Sequence, residues 1–159
     1  MPPASQRSFH AFTLRHKGIV DRLISDVRIS VGFDLTAAPP HPKSIPARAL
    51  WDTGATASVI TKQTATNLGL TPAGVARVRH AGGTSDQARY VVNLFLPNHV
   101  SMQGVFVTEC VNTIGDFGVI IGMDIISAGD LAISNHGGKT TMTFRVPSVD
   151  TIDFERPGQ

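Results

Sequence analysis

The segment ALWDTGATASVI, residues 49–60, places an ionisable carboxylate between two apolar runs. Asp52 follows a bulky apolar pair, and a turn of small residues comes after it. Burial disfavours the charged form of a carboxyl group unless hydrogen-bond donors stabilise it. Thr53 offers a hydroxyl donor, and the turn at Gly54 can aim backbone amides at the carboxylate. The segment therefore predicts a strand, a tight turn that holds Asp52 in place, and a second strand.

A simpler interpretation of Asp52 is purely local. An aspartate at the start of a turn often accepts hydrogen bonds from its own loop, an arrangement called an Asx turn. Asp-Thr-Gly is also expected by chance in roughly a few per cent of chains of this length. The tripeptide alone therefore leaves both a structural and a catalytic role open.

Further along the chain, short apolar segments alternate with turn residues, which is typical of a mostly β protein. Strands are predicted over Ile24–Phe33, on both sides of HAGGTSDQ between Val75 and Leu96, over Val100–Val107, around Val111, over FGVIIG, and in a closing hairpin of Leu131–Ser134 and Thr140–Val146. Short helices are expected over KQTATNL, between Thr61 and Gly69, and over MDIISAG. The pattern predicts an all-β fold, closed or sandwich-like, with one or two short helices.

Length and composition fit one folded domain with loose ends. The 159 residues are 42% hydrophobic and 16% charged, with a net charge of +2. This composition favours a folded protein over a disordered one, and without a block of like charges it does not imply nucleic-acid binding. We expect a flexible N-terminal segment over residues 1–20, the domain over residues 21–147, and a C-terminal tail over residues 148–159.

Several other kinds of site find no support in the sequence. No secretory leader and no run of about 18 apolar residues is visible, so a cytoplasmic protein without a membrane contact is expected. Cys110 is the only cysteine, and the six histidines show no ligand spacing, so neither a metal nor another cofactor is expected. The Asp-Phe-Gly of residues 116–118 lacks the other kinase signatures, and no Gly-x-Ser-x-Gly elbow accompanies the serines.

Two motifs, taken together with their order, resemble the retropepsin-like aspartic proteases. They are ALWDTGATASVI and GVIIGMDII, residues 118–126, and the glycine-tipped hairpin RHAGGTSD, residues 79–86, lies between them. The resemblance runs from about Ile24 to Val146. The motifs are more similar to cellular, bacterial members than to viral enzymes. The resemblance implies a closed β-barrel of the acid-protease type with one lobe per chain.

The same resemblance implies a hydrolase, an aspartic endopeptidase. Hydrolysis by this route uses two carboxyl groups that share a proton, one to activate water and one to protonate the scissile carbonyl. The sequence contains one Asp-Thr-Gly and no second Asp-Thr-Gly or Asp-Ser-Gly. We therefore expect a homodimer in which Asp52 of each subunit meets at the two-fold axis, with a peptide or protein as substrate. The tail of residues 148–159 is expected near the dimer interface.

The family also suggests roles for neighbouring residues, and each of these rests on the resemblance. Thr53 and Gly54 would support the active site, with Thr53 bracing the aspartate pair across the axis. Ala55 would line the substrate cleft. The flap tip, which closes over the peptide and excludes water, would consist of Ala81, Gly82 and Gly83.

A second function stays open at this point. A barrel of this type that dimerises and binds peptides without turnover would keep the packing motif GVIIG. Such a module has no need of a carboxylate pair at its axis, which favours the protease.

Two departures from the family pattern are expected to affect substrate preference rather than the reaction. Trp51 replaces a smaller aliphatic residue, and Thr56 stands where many viral members have a second aspartate.

Overall fold

The computed structural model describes residues 8–80, 82–110 and 115–155. The strands in these ranges are β1 (His10–Arg15), β2 (Ile24–Val31), β3 (Ile45–Trp51), β4 (Val59–Thr61), β5 (Gly74–His80), β6 (Gly83–Phe95), β7 (Ser101–Cys110), β8 (Val119–Ile121), β9 (Asp130–Ser134) and β10 (Thr141–Val146). The helices are α1 (Lys62–Leu68) and α2 (Met123–Ile126), and a 3-10 turn spans His136–Gly138. Neither helix in this described part is long and apolar enough to cross a membrane. The prediction of an all-β fold with two short helices is confirmed.

Six of the strands close into a ring. In the order β2-β3-β8-β4-β7-β6 each strand pairs with the next, and β6 pairs back with β2. Strand β5 extends this sheet beside β6. Successive side chains of a strand point to opposite faces, and in β6 the alternate residues Tyr90, Val92 and Leu94 are buried. The interior of the ring therefore belongs to the hydrophobic core, and the ring is the closed sheet that the sequence predicts.

Strand β8 lies between the two strands that flank Asp52. It pairs in parallel with β3, with Ile121 opposite Trp51, and antiparallel with β4, with Ile120 opposite Val59. Both ends of the turn that begins at Asp52 are therefore attached to a strand from a distant part of the chain.

The remaining strands form a three-stranded sheet in the order β1-β10-β9, called the terminal sheet below. Residues 1–20 are predicted to be flexible, but residues 10–15 form β1, so this prediction is wrong for that strand. The physical reason is that Phe12 and Leu14 give β1 an apolar face, and Phe12 is only 4% exposed. The domain boundaries at residues 21 and 147 stay predictions.

Most of the local predictions are confirmed. The hydroxyl of Thr61 accepts a backbone amide in the first turn of α1 at 3.2 Å, and Gly69 ends the helix with a φ of 61°. The hairpin predicted within residues 75–96 is formed by β5 and β6. Its tip residue Ala81 lies outside the described residues, as does the short strand predicted around Val111.

Asp130, the first residue of β9, attaches the end of the chain to the terminal sheet. Its carboxylate accepts hydrogen bonds from the Ser148 hydroxyl at 2.5 Å, the Val149 amide at 2.9 Å and Arg145 Nε at 2.6 Å. The hydrogen bond from Ser148, and after it those from Val149 and Arg145, hold the pKa of Asp130 well below its ordinary value. The ionised carboxylate therefore stabilises this junction.

Asp130→Asn is expected to lower the free energy of unfolding at neutral pH, and the difference from wild type should shrink in acid. Because the folded-state pKa is depressed, the stabilisation is present above the unfolded-state pKa of about 3.9 and is lost as the pH falls through the folded-state value. Urea midpoints of the two proteins should therefore converge below about pH 4. Asp21→Asn is the control, since that side chain is 91% exposed. A difference that stays constant in acid would contradict the assignment.

Candidate active site

Asp52 begins the turn of residues 52–58, called the Asp52 turn below. Its backbone amide donates to the Ile121 carbonyl at 2.9 Å, so β8 fixes the backbone at this point. Its Oδ1 accepts the Gly54 amide at 2.8 Å, and its carbonyl accepts the Ala55 amide at 3.2 Å. The bond from the Gly54 amide forms the Asx-type turn of the simpler interpretation, and the bond from the Ala55 amide closes a β-turn over the same residues. The Gly54 amide also holds one oxygen of the carboxylate in place.

The other carboxylate oxygen of Asp52, Oδ2, is open. It has no hydrogen-bond partner within the described ranges, and the residue is half-buried. Among the described residues, Nε2 of His16 is the only buried side-chain nitrogen or oxygen that lacks a hydrogen-bond partner. Because Oδ2 of Asp52 also lacks a partner, it is not a buried atom and contacts solvent. A carboxylate with one oxygen held and the other exposed to water is suited to accept a proton from that water. The local turn and a catalytic role are therefore compatible.

Two residues that the sequence patterns do not single out anchor the far end of the Asp52 turn. Ser58 is fully buried, and its amide and hydroxyl donate to the two carboxylate oxygens of Asp124 at 3.0 and 2.7 Å. The same hydroxyl accepts the Gly122 amide at 3.0 Å. Asp124 lies in the first turn of α2. The sequence signal for Asp124 is its position just after the strand motif GVIIG, because a carboxylate stabilises the N-terminus of a helix that begins there.

Gly122 brings the backbone of the second motif against the Asp52 turn. A Cβ atom at Gly122 would lie 2.7 Å from the carbonyl carbon of Ala57 and 2.9 Å from the carbonyl oxygen of Ala55. The next amide, that of Met123, donates to the Ala55 carbonyl at 2.8 Å. The two motifs are therefore in direct backbone contact, and a side chain at position 122 would separate them.

Thr53, Gly54 and Ala55 all lie in the Asp52 turn beside the carboxylate. The backbone amide of Gly54 donates a hydrogen bond to Asp52, as its place in the turn predicts. Thr53 is exposed, and its hydroxyl makes no hydrogen bond within the described residues. The expected hydrogen bond from this hydroxyl to the carboxylate of its own chain is not formed, and the Gly54 amide is the donor that Asp52 uses. Ala55 is half-exposed and its backbone carries the contact to α2.

The predicted flap residues lie on a different element. Gly82 and Gly83 are exposed at the end of the β5–β6 hairpin, and Gly83 has a φ of 123°, which favours glycine. Arg77 and Asp86 pair across the hairpin at 3.1 Å, and both side chains are exposed. Ala81 is outside the described residues. A flap role for these residues stays a prediction.

Metal ligands do not gather at this turn. In the ranges that the structure describes, no group of three or more His, Cys, Asp or Glu side chains is arranged to bind a metal ion. Cys110 is half-buried at the end of β7.

A family model matches the part of the chain that contains both motifs. It is the model of the aspartyl proteases, and it spans residues 43–125, more than half of the chain. The chain belongs to the aspartyl protease family. The matched range includes the Asp52 turn, the β5–β6 hairpin and Asp124, so every anchoring contact described above lies within it.

Solved structures place this aspartyl protease family member in a known fold. A retropepsin-like aspartic protease from Rickettsia conorii aligns with a TM-score of 0.54 over 90% of this chain and 99% of its own, at 10% identity. Simian foamy virus (mac) protease scores 0.43, covering 65% of this chain and 91% of its own at 13% identity. EIAV protease, solved with the inhibitor HBY-793, scores 0.43, covering 66% and 85% at 21% identity. The first alignment shows the retropepsin-like fold. No curated protein matches the sequence.

Proposed function

We propose that the protein is an aspartic endopeptidase whose active site is a pair of Asp52 carboxylates, one from each subunit of a homodimer. The observation that carries the proposal is the state of the carboxylate, with Oδ1 held by the Gly54 amide at 2.8 Å and Oδ2 open to solvent. One chain supplies one such group, whereas the reaction uses two. A second copy related by a two-fold axis supplies the other.

The chemistry follows from the properties of two close carboxyl groups. Both cannot be ionised, so they share one proton and titrate as a coupled pair. The ionised Asp52 takes a proton from water while the water oxygen attacks the scissile carbonyl carbon. The protonated Asp52 of the second subunit donates its proton to the carbonyl oxygen. When the tetrahedral intermediate collapses, the C–N bond breaks and the leaving nitrogen takes a proton from the pair. One hydroxyl of the intermediate returns its proton to the pair as the C=O bond forms again, so the pair ends with the single proton it started with.

Residues around the pair complete the proposed site. Thr53 is exposed with an unpaired hydroxyl in the described part of one chain, which suits a hydrogen bond to the second subunit. Ala55 lines the cleft, and the flap that covers the peptide consists of Ala81, Gly82 and Gly83. The tail of residues 148–159 contributes to the dimer interface. In support, Ile152 and Phe154 of this tail are 48% and 91% exposed in the single chain, and apolar side chains exposed together often mark an interaction surface.

A non-catalytic, dimerising peptide-binding module is the second candidate. The Asx-type turn favours it, since this turn gives Asp52 a structural role that would persist without catalysis. The match of the aspartyl protease model to residues 43–125, which include Asp52, favours the protease.

The experiment combines cleavage and assembly. The protein is incubated with a diverse peptide library from about pH 3 to about pH 8, and new peptide termini are identified by mass spectrometry. We expect cleavage at internal bonds with a bell-shaped pH dependence, and sedimentation as a dimer at micromolar concentration. A dimer that cleaves nothing at any pH would favour the binding module. A strict monomer, with and without a peptide inhibitor, would contradict the paired site.

A further inference from the structure

Trp51, the only tryptophan in the chain, directly precedes Asp52 and is bound to the start of β2. It is 5% exposed, and its indole Nε1 donates to the Ser25 hydroxyl at 3.0 Å. Its backbone amide donates to the Leu23 carbonyl at 2.9 Å. A buried indole N–H is costly unless it has such a partner. Both the side chain and the backbone of Trp51 are therefore fixed.

The indole ring also packs against the terminal sheet. Its centroid lies 5.1 Å from that of Phe144 and 5.8 Å from that of Phe12, with interplanar angles of 55° and 56°. The two phenylalanines are paired in register on β10 and β1, and their centroids are 6.1 Å apart. Tilted rings at these distances attract one another. The three rings form an aromatic cluster that joins β3 to the terminal sheet.

We propose that Trp51 is a positioning residue for Asp52, since it fixes the end of β3 to the terminal sheet through the aromatic cluster. The inference rests on the proposed function for the catalytic role of Asp52, but the attachment itself is independent of activity. The aromatic cluster contains residues of β1 and β10, the first and last strands of the described chain. Formation of the terminal sheet therefore helps to fix the position of the Asp52 carboxylate.

The inference depends on the size and shape of the Trp51 side chain. A smaller aliphatic side chain at position 51 lacks a donor for Ser25 and has no ring to pack on Phe12 and Phe144. Without these contacts, the backbone before Asp52 keeps its bond to Leu23 and its pairing with β2 and β8, but loses its attachment to the terminal sheet. A displacement of about 1 Å at a reacting group can reduce the rate about 100-fold, so a modest loosening has a measurable effect.

The test compares variants inside and outside the cluster. Trp51→Leu removes the donor and the ring, and Phe144→Leu removes one ring on another strand. Trp51→Phe keeps a ring and loses the donor, so it should recover part of the wild-type behaviour. Leu94→Ala, at a fully buried position of β6, is the control for a general loss of stability. Measurements are made where all variants are folded.

The first measurement is residue-resolved amide hydrogen exchange. The Asp52 amide, which donates to the Ile121 carbonyl, reports the attachment of the turn directly. We expect Trp51→Leu and Phe144→Leu to accelerate exchange at Asp52 by at least about tenfold more than at Val92, a core residue of β6. Leu94→Ala should accelerate exchange without singling out Asp52. If the exchange rate at Asp52 relative to that at Val92 changes equally in all variants, the proposal is overturned.

The second measurement is steady-state peptide cleavage. We expect Trp51→Leu and Phe144→Leu to lower kcat between about 10-fold and about 100-fold with little change in KM, whereas Leu94→Ala stays close to wild type. Equal kcat values for Trp51→Leu and Leu94→Ala would overturn the positioning role. An inactive wild type would contradict the proposed function instead, and the exchange comparison would then decide the role of Trp51.

Discussion

Asp52→Asn should reduce kcat for peptide cleavage by at least about 1,000-fold, the scale expected when one member of a catalytic unit is removed. An amide cannot take a proton from water at these pH values, so both roles in the pair are lost. The substitution preserves shape, and the Asn side-chain oxygen can still accept the Gly54 amide that is bonded to Oδ1 at 2.8 Å. The urea midpoint at neutral pH should therefore stay close to that of wild type. Cleavage rates and unfolding curves measured on the same samples separate the two effects.

The matched control for this variant is Asp116→Asn. Asp116 pairs with Arg48 at the surface, and its side chain is 76% exposed. The same chemical change at this aspartate should leave the cleavage rate unaltered, because Asp116 has no role in the proposed active site. The protein should also stay folded, because exposed ion pairs contribute little to stability. Full activity in both variants would assign catalysis to another residue.

Gly122→Ala should lower the free energy of unfolding by at least about 2 kcal/mol and reduce activity as well. The new Cβ atom would lie 2.7 and 2.8 Å from the carbonyl carbon and oxygen of Ala57 and 2.9 Å from the carbonyl oxygen of Ala55. All three are backbone atoms and cannot rotate away. Relief requires α2 to separate from the Asp52 turn, which disrupts the bond between Met123 and Ala55. Urea unfolding measures the change in the free energy of unfolding, and peptide cleavage by the folded fraction measures the change in activity.

Gly18→Ala is the control for that substitution, since a Cβ atom built at Gly18 has no heavy atom within 4 Å apart from those of the residue itself and its two chain neighbours. It should leave both stability and activity near the wild-type values. A Gly122→Ala protein as stable and as active as Gly18→Ala would show that the two motifs do not depend on close backbone contact.

The features that the sequence predicts are those encoded by neighbouring residues. The cap at Thr61 and the stop at Gly69 are visible because both act within one turn of the helix. Asp52 and Gly54 form their contact two residues apart, so the turn composition is sufficient to predict it. The family resemblance was equally accessible, since both of its motifs are continuous segments.

The features that local patterns miss depend on contacts between distant segments. Ser58 and Asp124 are 66 positions apart, and no pattern around either residue predicts that they meet. Trp51 looks anomalous in its own segment and finds its partners on β1 and β10. The sequence does not predict strand β1, because its apolar alternation is limited to Phe12 and Leu14 and is too short to distinguish it from a loose terminus.

A site shared between two subunits is the central claim, and mixing wild-type and Asp52→Asn chains tests it most directly. The two are unfolded together, refolded at a fixed total concentration and assayed over a range of ratios. If two Asp52 carboxylates are required, activity follows the square of the wild-type fraction, and an equal mixture retains about one quarter of the wild-type rate. A linear decrease, with about one half of the rate in the equal mixture, would show that each chain acts alone and would contradict the account.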